Sequence, residues 1–95
     1  MANLEREKVN INYLYRVGYS KGLGKYVLEK CMDDQHASYY DFYEISEEEY
    51  NMFGSFKLTE LAHSLKPSSP RLLYSWRKGG DEKIRQKLYA KWVDF

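Results

Sequence analysis

The sequence has little cysteine and no long apolar run, and each shortage excludes a class of protein. Cys31 is the single cysteine among 95 residues, so no disulfide can form within the chain. Small secreted domains usually need disulfides, and the charged residues 1–8 are unlike a signal peptide, so we expect a reducing, cytoplasmic location. No apolar run approaches the roughly 20 residues that span a bilayer, so no membrane partner is expected.

The composition is that of a folded domain. Hydrophobic residues make up 43% of the chain and charged residues 31%, which excludes an intrinsically disordered protein. The length is that of one domain, and the sequence contains no repeat or linker, so residues 1–95 are expected to form a single domain.

Charge is distributed unevenly between the two halves of the chain, although the net charge is only +1. Residues 1–56 carry six basic against ten acidic side chains, a net charge of −4. Residues 57–95 carry nine basic against four acidic side chains, a net charge of +5. This asymmetry predicts either a basic working face on the C-terminal half or two halves that complement each other in the fold.

Hydrophobic periodicity predicts an α+β fold with a small antiparallel β-meander over about residues 9–45. Apolar residues at every second position from Val9 to Tyr19 predict a first strand. The two glycines within 20–24 predict a turn, and strands are expected over 26–32 and 39–45, with a polar loop over 33–36 between them.

Helical spacing follows from Ser46 onward and predicts three or four short helices. Ser46 and Glu49 form a capping-box pattern at the start of the first helix. Further helices are expected over 58–65, over 71–78 and from about Asp81. In the last helix, the spacing predicts a buried apolar stripe of Ile84, Leu88 and Trp92. Beside it, an exposed basic stripe is expected, formed by Lys83, Lys87 and Lys91.

Two groups of residues resemble a phosphate-binding loop and a metal site, but their spacing does not match either motif. The glycines and lysine within 18–25 resemble a phosphate-binding loop, but Gly24 comes one residue later than the motif requires, and a strand is predicted where a helix should follow. Cys31, Asp33, Asp34 and His36 are close in sequence, yet zinc sites use recurring pairs of ligands that this chain lacks. We therefore predict no enzymatic activity, no metal and no cofactor.

One segment resembles the helix-turn-helix motif of DNA-binding proteins. Within residues 58–79, Leu61 and Ala62 match the small apolar pair of the first helix, and Leu73 and Trp76 match buried positions of the recognition helix. Two departures are Lys66 in place of the usual turn glycine and a turn one residue too long. The resemblance implies duplex-DNA binding and transcriptional regulation, with these candidate contacts to the groove and phosphates: Arg71, Tyr74, Arg77 and Lys78.

The ten tyrosines support a different hypothesis, in which the chain binds another protein or a nucleoprotein complex. Tyrosine concentrates at binding surfaces because it brings apolar area and a polar tip at low entropic cost. In being short, rich in aromatic residues and without catalytic motifs, the chain resembles adaptors and stoichiometric inhibitors that phages and other mobile elements encode. The densest cluster of aromatic residues lies in the strand predicted over 39–45. Because side chains alternate between the two faces of a strand, Tyr39 and Tyr43 share one face, and Tyr40 and Phe42 share the other. We expect one of these pairs to be buried and the other to be exposed for binding.

Overall fold

Antiparallel strands form one sheet in which each strand pairs with the next along the chain. The computed structural model describes residues 2–33 and 38–89. Within this part of the chain the strands are β1 Glu5–Asn10, β2 Tyr15–Ser20, β3 Lys25–Asp33, β4 Ser38–Ile45, β5 Leu72–Ser75 and β6 Gly79–Gly80. Their spatial order is the same as their order in sequence, which makes the sheet a six-stranded meander with β1 and β6 at its edges.

Two helices interrupt the meander between β4 and β5, and a third follows β6. They are α1 Glu47–Asn51, α2 Phe56–Ser64 and α3 Glu82–Tyr89. The predicted capping box begins α1: the Glu49 amide donates to Ser46 Oγ at 3.0 Å, and the Ser46 amide donates to Glu49 Oε1 at 2.8 Å. Ser55 caps α2 with its side chain alone, which accepts from the amide of Leu58 at 3.4 Å. These bonds satisfy backbone donors that the first turn of a helix leaves without partners.

The sheet is covered on both faces, each by different elements. We call the face covered by α1 and α2 the front face, and its buried cluster includes Val17, Leu28 and Tyr43. We call the opposite face the back face, where Val27, Phe42 and Leu88 of α3 form a second cluster with the N-terminal Ala2. The core is therefore two apolar layers separated by the sheet.

β1 contains a bulge where the N-terminal segment crosses β2. Glu5 pairs with Tyr19 and Lys8 with Val17, so Arg6 and Glu7 both lie opposite the single residue Gly18. A Cβ at position 18 would lie 2.7 Å from Leu4 Cβ, which explains a glycine there. The bulge and the charged side chains of β1 also protect this sheet edge against pairing with another chain.

The predicted α+β class and antiparallel meander are confirmed, but the single strand predicted over Val9–Tyr19 is wrong. Residues 11–14 form a turn between β1 and β2. The Asn10 side-chain oxygen accepts hydrogen bonds from the amides of Asn12 and Tyr13, both at 3.1 Å. An asparagine that bonds the backbone two and three residues ahead is a known way to start a turn.

The helix predicted over 71–78 is also wrong, because these residues form β5 and the turn into β6. Leu72 pairs with Tyr43 and Tyr74 with Phe42, so the segment completes the sheet beside β4. The sheet therefore extends well beyond the predicted limit near residue 45, and β5 and β6 lie between α2 and α3.

The remaining helix predictions agree with the structure where it describes them. Glu82–Tyr89 forms the predicted last helix, with Leu88 buried and Ile84 packed against the same cluster. Lys83 and Lys87 are exposed, as the basic stripe predicts. Trp92 and Lys91 lie outside the described residues, as do residues 34–36 of the predicted polar loop.

Candidate protein-binding surface

Part of the back face is apolar and exposed. Beyond the area that α3 covers, Ile11 is 79% exposed, Val9 53%, Leu14 47% and Tyr40 41%. Scattered apolar side chains are ordinary on a protein surface, but a contiguous apolar group marks an interaction site. These four side chains line one feature, and that makes them a candidate binding surface.

The feature is an open groove with a volume of about 220 Å³. We call it the back-face groove, and it lies between the end of β1, the turn over 11–14 and the centre of β3 and β4. Its lining is mainly apolar and consists of Val9, Asn10, Ile11, Leu14, Tyr15, Arg16, Glu29, Cys31 and Tyr40.

A buried ion cluster forms the polar part of the groove. Arg16 donates to the carboxylates of Glu29 and Glu7 and, at 3.1 Å, to the carbonyl of Ala2. Arg16 and Glu29 are both almost fully buried, and Glu7 is partly exposed. Burial raises the pKa of Glu29, while Arg16 acts in the opposite direction. Arg16 and Glu29 thus satisfy each other's buried polar groups. The rest of the groove lining is mainly apolar.

An aromatic group lies beside the groove, next to Tyr40. The amide of Trp76, in the turn after β5, donates to the Tyr40 carbonyl at 3.0 Å. The Trp76 indole donates to the Tyr89 hydroxyl at 2.8 Å, and the two rings meet edge to face at 5.9 Å between centroids. Trp76 remains 47% exposed despite these contacts. Its fixed orientation means that little side-chain entropy would be lost if a partner covered it.

The four residues predicted for protein binding do not share one surface. Phe42 is fully buried in the back cluster and Tyr43 is fully buried in the front cluster. Tyr39 is partly buried, and Tyr40 is exposed at the groove. The prediction that one alternate pair is buried and the other exposed is therefore wrong. Helices cover both faces of the sheet near residue 43, so burial changes along the strand rather than from face to face.

The four residues predicted to contact DNA are not presented by a helix. Arg71 precedes β5 and donates to Glu49 at 2.7 Å, while Tyr74 packs partly buried on the back face. Arg77 and Lys78 are exposed in the turn between β5 and β6. The recognition helix implied by the helix-turn-helix resemblance is thus replaced by a hairpin.

Three residues of the groove, Val9, Ile11 and Leu14, were not identified from the sequence as surface residues. Val9 and Ile11 belong to the apolar alternation that predicts one strand over Val9–Tyr19. Because Val9 pairs with Arg16, it shares a face with the even-numbered residues of β2 and not with Val17. The asparagines at positions 10 and 12 are the signal that indicates a turn here.

The described residues contain no group of three or more side chains that would suit a metal ion. No helix in residues 2–33 and 38–89 has both the length and the apolar character needed to cross a membrane. Comparison with protein-family models, with curated proteins and with solved structures finds no match to this chain.

Proposed function

We propose that the protein is a non-enzymatic binding protein that docks onto another protein through the back-face groove, as an adaptor or a stoichiometric inhibitor. The observation that carries the proposal is the high exposure of Ile11 beside Val9, Leu14 and Tyr40 around one groove. Burying such side chains against a partner releases about 25 cal/mol for each Å² of apolar surface removed from water. This gain is available only when a partner covers the groove.

Residue types beside the groove also support protein docking. Binding energy at protein interfaces concentrates in a few Trp, Tyr and Arg side chains near the centre of the contact. Tyr40 and Trp76 adjoin one another through the backbone bond between them and are both partly exposed. Of the residues predicted from the sequence, Tyr40 is thus the one best placed to contact a partner.

The test begins with affinity capture from a lysate of the native host and identification of the captured protein by mass spectrometry. Its dissociation constant is then measured for the wild type and for the variants Ile11→Asp and Tyr40→Ala. We expect each variant to lose about 2–4 kcal/mol of binding free energy, the range of interface hot spots. Both side chains are exposed, so the melting temperature should change little.

Phe56→Asp is the matched control, because Phe56 is 74% exposed at the start of α2, on the other side of the sheet. This variant should bind the captured protein as the wild type does. Unchanged affinity in Ile11→Asp and Tyr40→Ala would refute the groove as the docking site.

Duplex-DNA binding stays a hypothesis that the contacts do not favour, because Arg71 is already paired with Glu49. Its test is the same titration with duplex DNA at several salt concentrations. DNA affinity falls steeply with salt because bound counterions are released, whereas docking through apolar side chains should change little.

A further inference from the structure

Three tyrosine rings form a compact group on the front face, at the end of the sheet near the turn over 21–24. Tyr19 and Tyr26 are cross-strand partners whose ring centroids lie 5.1 Å apart at an angle of 63°. Tyr50 of α1 lies next to them, with its centroid 4.9 Å from that of Tyr26. We call these three residues the tyrosine cluster. It is separate from the back-face groove, which lies on the opposite face.

The guanidinium of Arg6 contacts all three rings. Its central carbon lies 5.7 Å from the centroid of Tyr19, 5.6 Å from that of Tyr26 and 6.0 Å from that of Tyr50. One nitrogen donates to the Tyr26 hydroxyl at 3.0 Å. A guanidinium is a planar, weakly hydrated cation that stacks on aromatic faces, and several faces around one cation add their attractions.

The backbone of Arg6 is strained, while its side chain is exposed to solvent. Arg6 has φ of +50°, which is in the left-handed region that residues other than glycine disfavour. It lies in the bulge of an edge strand and is exposed to solvent. Its carbonyl accepts a hydrogen bond from the Tyr50 hydroxyl, so the backbone is held in the bulge and exchange requires the side chain alone to leave. Strain of this kind often accompanies binding sites.

We propose that the tyrosine cluster is a guanidinium-binding site that Arg6 fills in the free protein and that an arginine side chain of a partner fills by exchange. The rings supply negative π faces and the Tyr26 hydroxyl supplies the hydrogen-bond acceptor. The proposal does not depend on the groove, since it uses another face and other residues.

The test uses the variant Arg6→Gly, because glycine adopts a positive φ freely and removes the guanidinium from the rings. Lys8, whose Nζ lies 4.4 Å from the Tyr50 centroid, is common to variant and wild type. Isotope-labelled protein is titrated with methylguanidinium chloride, with sodium chloride at equal ionic strength as the blank. The ring signals of Tyr19, Tyr26 and Tyr50 are followed by NMR. We expect saturable shifts in the variant, with binding at least about tenfold tighter than in the wild type, where the tethered Arg6 competes.

Three controls make the result specific. Tyr13 is an exposed ring outside the cluster, and its signals should not move. Replacing Tyr26 by Ala in the Arg6→Gly background should weaken binding. Tetramethylammonium cannot donate to the Tyr26 hydroxyl and should bind less tightly than methylguanidinium.

If Arg6→Gly fails to fold, Arg6→Gln serves in its place, because it removes the charge and keeps most of the side chain's length. The proposal is overturned by an absence of saturable shifts in the folded variant, or by equal affinity in variant and wild type. It is also overturned by equal shifts at Tyr13, or by tetramethylammonium binding as tightly as methylguanidinium.

Discussion

Glu49 connects the start of α1 to the segment before β5. Its carboxylate accepts from the backbone amide of Ser46 and from the guanidinium of Arg71, at 2.8 and 2.7 Å. The bond from Arg71, aided by those at Ser46, lowers the pKa of Glu49, while burial acts in the opposite direction. The folded protein therefore favours the ionised form of this side chain more than the unfolded chain does.

The lowered pKa predicts a pH-dependent effect of Glu49→Gln, which keeps a capping side chain but removes the charge. At pH 7 the variant should lose about 0.5 kcal/mol of unfolding free energy, as for other partly exposed ion pairs. The contribution is present above the unfolded pKa, about 4.3, and is lost as the pH falls through the lower folded pKa. Urea denaturation at pH 7 and pH 3 should show the difference from wild type shrinking at pH 3.

Glu48→Gln is the control, because Glu48 shares the first turn of α1 and is exposed. The Glu48→Gln variant loses the same interaction with the helix dipole, but Glu48 is not the partner of Arg71. Equal effects of the two variants at pH 7 would contradict the role assigned to the pair.

At the scale of elements, β5 and its turn depend on one buried hydroxyl. Ser75 Oγ donates to the buried carboxylate of Asp41 at 2.5 Å and accepts from the amides of Arg77 and Lys78. Asp41 also accepts from the Tyr43 hydroxyl at 3.4 Å. The same contact, together with burial as the largest cause, raises the pKa of Tyr43. One side chain therefore ties the turn to the centre of the sheet.

Ser75→Ala should destabilise the protein and loosen this turn. The variant leaves Asp41 buried with one donor fewer, which costs about 1–3 kcal/mol. Arg77 and Lys78 are trypsin sites within the turn, so limited proteolysis should cut there faster than in the wild type. Ser64→Ala is the control, because Ser64 is exposed and its hydroxyl donates to the carbonyl of Leu61 within α2. Unaltered cleavage in Ser75→Ala would refute the anchoring role of the hydroxyl.

Local signals predicted several elements from the sequence, and tertiary pairing decided the others. The capping box at Ser46 and the glycines before β3 act over a few residues, so the sequence alone was sufficient there. For residues 71–78, Leu73 and Trp76 have helical spacing, yet pairing with Asp41, Phe42 and Tyr43 makes the segment a strand. No local pattern identifies β4 as the partner.

The groove was hidden from sequence analysis for a related reason. The alternation from Val9 to Tyr19 continues across a four-residue turn, although the strands on either side are antiparallel. Pairing of Val9 with Arg16 puts odd-numbered residues of β1 and even-numbered residues of β2 on the same face. The apparent single apolar stripe is thus divided between the front and back faces, which exposes Val9 beside the groove.

At the scale of the whole molecule, the two apolar layers predict that both faces of the sheet stabilise it. Leu58 of α2 and Leu88 of α3 are fully buried on opposite faces. Leu58→Ala and Leu88→Ala should each lose about 2–5 kcal/mol of unfolding free energy, as measured by urea denaturation. Phe56→Ala, at an exposed position of α2, should stay near wild type. A melting temperature of Leu88→Ala within one or two degrees of wild type would mean that α3 adds little to the core.

The order of the strands also determines what each pairing costs in chain entropy. The turns over 11–14 and 21–24 close β1 on β2 and β2 on β3 over very short distances along the chain. Pairing of β4 with β5 must instead close a loop of residues 46–71, which contains α1 and α2. Loop closure over this length costs about 1.5 kcal/mol more than over a four-residue turn. Closing the N-terminal hairpins therefore costs the least chain entropy, and the pairing of β5 with β4 costs more.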